Sequence, residues 1–131
     1  MAKNSIKILG DLESEVMEIV WTAQKASVRE VLFLLEKKRK IAYTTVMTVM
    51  SRLHEKKILK REMDKSGAFV YLPAQDKKSF LSQASKRIIQ DFMKEYGDLA
   101  VAQFMDAIEA IDAKRSPEWK DKLRDLVKLY L

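Results

Sequence analysis

The sequence predicts a mainly α fold with one small β-hairpin, a winged helix-turn-helix domain over residues 1–75 followed by a helical region over residues 76–131. Three observations lead there. Apolar residues recur at helical spacing in three successive segments before residue 57. A β-prone run at residues 68–72, AFVYL, then follows a turn made of Asp64, Lys65, Ser66 and Gly67. Beyond Pro73 the pattern is helical only.

Each element has its own signal. The first helix is expected from about residue 11 to 23, with Leu12, Val16, Ile19 and Ala23 facing the core. Asp11, Glu13 and Glu15 stand early in it, where the helix dipole favours acids. Ser27 and Glu30 match the S-x-x-E capping box, so a second helix starts there and buries Val28, Val31, Leu32 and Leu35 before a basic loop at 36–42. A third helix, about 43–56, buries Val46, Val49, Met50 and Leu53. Residues 58–63 alternate poorly, yet the turn after them makes them the first strand of the hairpin. A fourth helix from residue 76 carries a stripe of Phe80, Ala84, Ile88 and Phe92, and a fifth runs from about 98 to 111. The sixth opens with Ser116 as N-cap and Pro117 at its first position.

The third helix has an unusual outer face. Opposite its apolar stripe lie Thr44, Met47, Thr48 and Ser51, with Tyr43 at its start and Thr45 and Arg52 on the flank. Short side chains let a helix backbone approach a DNA groove, where hydroxyls bond phosphates or base edges and an arginine bonds phosphate or guanine. Between residues 37 and 65 ten basic residues face three acidic ones, a net +7 in a chain whose total is +6. That concentration is the footprint of phosphate binding, and Lys56, Lys60, Arg61 and Lys65 extend it from the third helix into the hairpin. Double-stranded DNA is the expected partner.

Composition excludes other chemistry. Without cysteine there is no disulfide, thiolate metal site or nucleophilic thiol, and the single His54, set beside lysines, cannot supply the several imidazoles of a histidine zinc site. No glycine-rich phosphate loop is present, so no cofactor, metal or catalytic residue is expected. Neither an apolar run near the ~20 residues of a membrane span nor a signal-peptide core follows the first residues, which points to the cytoplasm and away from a membrane.

From residue 76 on, eleven basic residues nearly cancel ten acidic ones, so this part is not the expected DNA binder. Three short helices cannot bury all their apolar faces against one another, and a second copy is the natural cover. The candidate dimer residues are Phe80, Ile88, Phe92, Phe104, Ile108, Trp119, Leu123, Leu126 and Tyr130. A two-fold dimer would present two third helices ~34–36 Å apart, or a multiple of that spacing, and so read a palindrome.

The run VREVLFLLEKKRKIAYTTVMTVMSRLHEKKILKRE, between LESEVMEIVW and GAFVYLP, resembles the penicillinase repressor family of bacterial transcription repressors. Glu15, Val16, Met17 and Trp21 carry the resemblance in the first helix, and Thr44, Thr45, Val46, Thr48, Ser51, Arg52, Leu53 and Lys56 in the third. It implies a winged helix with a C-terminal helical dimerisation region, and operator binding as a homodimer until a signal releases it. Relatives concerned with antibiotic resistance carry a basic residue where this chain has Met47, so its operator need not be theirs. The cysteine-rich metal site of copper-responsive relatives is absent. In the antibiotic-responsive branch a regulatory protease cuts the dimerisation region at an Asn-Phe bond, and Gln103 and Phe104 stand near the corresponding place. Many relatives have glycine where this chain has Lys57. The competing expectation keeps the winged helix and makes it a protein-binding adaptor, since fold does not fix function.

Overall fold

A computed structural model describes residues 8–110 and, beyond them, Glu118, Asp121, Arg124, Asp125 and Lys128. The chain forms two compact units, Met1–Gln83 and Ala84–Leu131. The first contains α1 (Asp11–Ala23), β1 (Ala26–Ser27), α2 (Val28–Glu36), α3 (Tyr43–Glu55), β2 (Leu59–Met63), β3 (Phe69–Pro73) and the opening of α4 (Lys77–Tyr96). The second contains the rest of α4 and α5 (Asp98–Glu109).

The capping box at Ser27 forms as its spacing requires. The Ser27 hydroxyl accepts from the Glu30 amide at 3.1 Å, and the Glu30 carboxylate accepts from the Ser27 amide at 3.2 Å. β1, a two-residue strand the sequence did not announce, pairs with β3 through Ala26 and Tyr71, so the antiparallel sheet has the order β1-β3-β2. The hairpin turn closes on Asp64, whose Oδ1 accepts from the Ser66 hydroxyl, the Ser66 amide and the Ala68 amide. Those bonds, the Ser66 hydroxyl foremost, hold the Asp64 carboxyl below the usual range. Gly67 completes the turn at φ 87°, a left-handed conformation that suits glycine.

The core of this unit runs from α1 through α2 and α3 to the sheet. α2 contributes Val28, Val31 and Leu35 and α3 contributes Val46, Met50 and Leu53, with Leu32 and Val49 only partly buried at the edge. α1 is rotated from the expected setting. Its buried residues are Val16, Met17, Val20 and Trp21; Leu12 and Ile19 are half-buried and Ala23 is exposed. Trp21 sets this rotation: its indole N–H donates to the Gln75 carbonyl at 3.2 Å and its ring meets Phe80 at 5.6 Å. Burying an indole outweighs burying the Ala23 methyl.

Phe80 is thereby corrected. The sequence placed it at a dimer interface, but only 8% of its surface is exposed and it belongs to the first unit's core. In the second unit Met93, Ala100 and Val101 are buried, with Ile89 and Phe104 packed against them. Gly97, at φ 53°, turns α4 into α5 and donates its amide to the Met93 carbonyl at 2.8 Å. The expected sixth helix start at Ser116 and Pro117, and the candidate residues Trp119, Leu123, Leu126 and Tyr130, lie outside the described residues, as does the side chain of Ile108.

α3 ends in a Schellman motif. The Ile58 amide donates to the Leu53 carbonyl at 2.9 Å and the Lys57 amide to the His54 carbonyl at 3.0 Å, which forces Lys57 to φ 65°. A left-handed lysine costs ~1–2 kcal/mol, and glycine's larger unfolded-state entropy returns ~0.5–1 kcal/mol of that. Lys57→Gly is therefore expected to raise the unfolding free energy by ~0.5–1 kcal/mol in chemical denaturation. Equal or lower stability would show that the position is not strained.

Candidate nucleic-acid interface

The apolar stripe of α3 fixes what its other side presents. With Val46, Met50 and Leu53 fully buried, Thr44, Thr45, Met47 and Thr48 are exposed, Tyr43 stands exposed at the first turn, and Ser51 is half-buried. Positions 44, 47, 48 and 51 follow the i, i+3, i+4, i+7 spacing of a single helix face. No side chain caps the start of α3, where Ala42 is the N-cap. The Thr48 hydroxyl donates to the Thr44 carbonyl at 2.8 Å, so its proton is engaged with the helix itself. The expected hydroxyl-to-phosphate bond does not apply to Thr48 in this rotamer.

The cations sort into two groups. Arg52 on α3, Lys60 on β2 and Lys65 at the hairpin turn are exposed, and none of them makes an ion pair among the described residues. Lys56 is exposed too, but it bonds the Glu13 carboxylate of α1 at 2.8 Å. Arg39 pairs with Glu15 of the same helix, and Lys77 with Glu18 at 2.5 Å. Helix α1 thus holds three cations through Glu13, Glu15 and Glu18.

Arg61 departs from the expectation that it acts beside Lys60 and Lys65. Strand alternation places Leu59, Arg61 and Met63 on one face of β2 and Lys60 and Glu62 on the other. The Arg61 guanidinium lies 4.1 Å from the Phe69 ring centroid and 3.5 Å from the Tyr71 hydroxyl, so it braces the hairpin. Sequence reading missed Arg29 of α2. Its guanidinium sits 5.5 Å from the Tyr43 ring centroid, which adds a cation beside the first turn of α3. No local pattern could signal a contact between residues on two different helices.

Gln103 is exposed within α5, and Phe104 is half-buried against the second unit's core. Both lie inside a regular helix. Of the other candidate dimer residues, Ile88 is half-buried, while Phe92 is exposed with its ring 5.1 Å from Tyr96 and 6.1 Å from Phe104. Among the described residues no group of acidic or histidine side chains is placed to hold a metal ion, and no helix is long and apolar enough to cross a membrane.

Comparison with known proteins adds to this geometry. A family model described as penicillinase repressor matches residues 9–127. The transcriptional regulator BlaI of Mycobacterium tuberculosis is 46% identical over 52 residues, in both strain CDC 1551 / Oshkosh and strain ATCC 25618 / H37Rv. That match covers 39% of this chain and spans 38% of the relative's length. A solved structure of the transcriptional regulator PA4135 aligns with a TM-score of 0.45 at 16% identity, covering 82% of this chain and 80% of that one.

The Glu13 contact has a pH signature. The Lys56 ammonium, and then the Gly10 amide that donates to the same carboxylate at 3.0 Å, hold Glu13 below the usual glutamate range. A carboxyl whose pKa is lower folded than unfolded stabilises the fold above its unfolded value, and that contribution is lost as pH falls through the folded one. Glu13→Gln is expected to cost ~0.5 kcal/mol near neutral pH, scaled to a largely solvated pair, and progressively less as pH drops below the ordinary glutamate range. Denaturation curves of both proteins across that range check it; a difference that grows on acidification contradicts the assignment.

Proposed function

Because the chain belongs to the penicillinase repressor family, we propose that it is a homodimeric transcriptional repressor that lays α3 in the major groove of a palindromic operator. One observation carries the reading: the small, hydroxyl-bearing side of α3 is solvent-exposed inside the most cationic stretch of the chain. Tyr43, Thr44, Thr45, Met47, Thr48 and Ser51 face the bases. Arg52 and, after exchange of its carboxylate partner for phosphate, Lys56 hold the backbone, with Lys60 and Lys65 following it along the hairpin.

The second unit supports the dimer. Among its described residues Phe92, Tyr96, Leu99 and Met105 are exposed, Leu99 at 63%. Residues 76–131 serve as the dimerisation region in this reading, and a second copy covers that apolar surface. Release by a regulatory protease at Gln103 and Phe104 requires α5 to open first, because a protease takes its substrate extended. The adaptor reading leaves the +7 stretch without a partner.

Phosphate contacts release counterions, so affinity for operator DNA is expected to fall by ~10³ or more between 50 and 200 mM salt, read by fluorescence anisotropy. Arg52→Ala should weaken binding to every sequence alike and reduce the logarithmic salt slope by ~2, about 1 for each subunit of the dimer. Binding that ignores salt, or an Arg52→Ala effect confined to one base pair, contradicts the assignment.

A further inference from the structure

The groups that α3 exposes also restrict which bases it can read. Guanine is usually recognised in the major groove by Arg or Lys donating to O6 and N7, and adenine by Asn or Gln. Positions 44, 47, 48 and 51 hold Thr, Met, Thr and Ser, none of which can make such a bidentate contact. The Thr48 hydroxyl is further restricted, since its proton is given to the Thr44 carbonyl and none is left for guanine O6, guanine N7 or thymine O4. What remains of Thr48 for a partner is its γ-methyl and an oxygen that can only accept, so it has nothing to offer the acceptor edge of guanine. Beside it Met47, 41% exposed, presents a flexible thioether with a terminal methyl, and Thr44 stands exposed one turn earlier. An exposed methionine between two threonines is an apolar face. In the major groove the matching apolar group is the C5-methyl of thymine.

We infer that α3 reads thymine methyl groups through Met47 and the γ-methyls of Thr44 and Thr48, and does not read the hydrogen-bonding edge of guanine. The inference rests on the DNA-binding function proposed above and adds the base class that the site selects. Arg52, on the flank, holds phosphate and leaves the base readout to its apolar neighbours.

The test starts from DNA fragments enriched by the full-length protein from a random library. Each thymine in the enriched site is then replaced by deoxyuridine, which removes only the methyl, and each guanine by 7-deazaguanine, which removes only the N7 acceptor. Deoxyuridine at the contacted positions is expected to weaken binding about fourfold per methyl, and 7-deazaguanine to leave it unchanged. Two variants of one exposed residue sharpen the result. Thr48→Val keeps the methyl and should retain the thymine-over-uracil preference, whereas Thr48→Ser keeps the hydroxyl and should lose it at one position per half-site. Sites indifferent to deoxyuridine, sites sensitive to 7-deazaguanine, or a preference kept by Thr48→Ser and lost by Thr48→Val would each overturn the inference while leaving DNA binding intact. Failure to enrich any fragment, even at low salt, would overturn both.

Discussion

Val46, Met50 and Leu53 are completely withdrawn from solvent, and because they lie along one side of a rigid helix they fix its rotation about its own axis. Each such burial is worth ~1.5–3 kcal/mol. The opposing costs are smaller: ~1–2 kcal/mol for the left-handed Lys57 that ends the helix. Surface ion pairs contribute ~0–1 kcal/mol each and cannot reset the orientation. Turning α3 by one residue, about 100°, would expose part of this stripe and press threonine hydroxyls into apolar surroundings. The outward display of Thr44, Met47 and Thr48 is therefore a consequence of the core, and the proposed base readout inherits its precision from packing on the far side of the helix.

How much of this was legible depends on how one-sided each segment is. In α3 the residues at 46, 49, 50 and 53 fall on one side at helical spacing and periodicity selected them, and Ser27 with Glu30 marked the start of α2 to the residue, although α2 also carries the exposed Phe33 and Leu34 outside its buried stripe. α1 carries apolar side chains at 12, 16, 17, 19, 20, 21 and 23, which cover most of its circumference. Periodicity cannot choose among them; Trp21 does, through Phe80 and the Gln75 carbonyl, which are about 55 residues away in the chain. Phe80 was misplaced for the same reason, since a stripe on α4 does not say which surface it meets. β1 is only two residues long, and β2 buries a single residue, Leu59, so neither offers the alternation that announces a strand.

Charge was legible as a total and illegible as a pattern of pairs. The +7 stretch is visible by counting, but Lys56 meets Glu13 43 residues away and Arg39 meets Glu15 24 residues away. These pairs make α1 an internal counterion for part of the cationic surface. In the proposed complex DNA displaces a carboxylate to use Lys56, and the same Glu13 carboxylate attracts Arg52 from beyond ion-pair distance, whereas Lys60 and Lys65 face solvent with no ion pair among the described residues. The proposed contact of Lys56 with phosphate is correspondingly worth less than that of Lys60 or Lys65.

The same distribution of charge bears on assembly. Two copies that met through their +7 stretches would repel one another and hide the surface proposed to meet DNA. The region from residue 76 on carries eleven basic against ten acidic residues, so two copies can approach through it with little Coulomb cost. Its described part also holds the exposed Phe92, Tyr96, Leu99 and Met105 beside the buried Met93, Ala100 and Val101. Association driven by that apolar surface and closed by a two-fold axis duplicates α3 automatically, and an operator recognised by both copies must then repeat its half-site in inverted order. On this reading a palindrome follows from the pairing of a nearly neutral region that exposes apolar side chains.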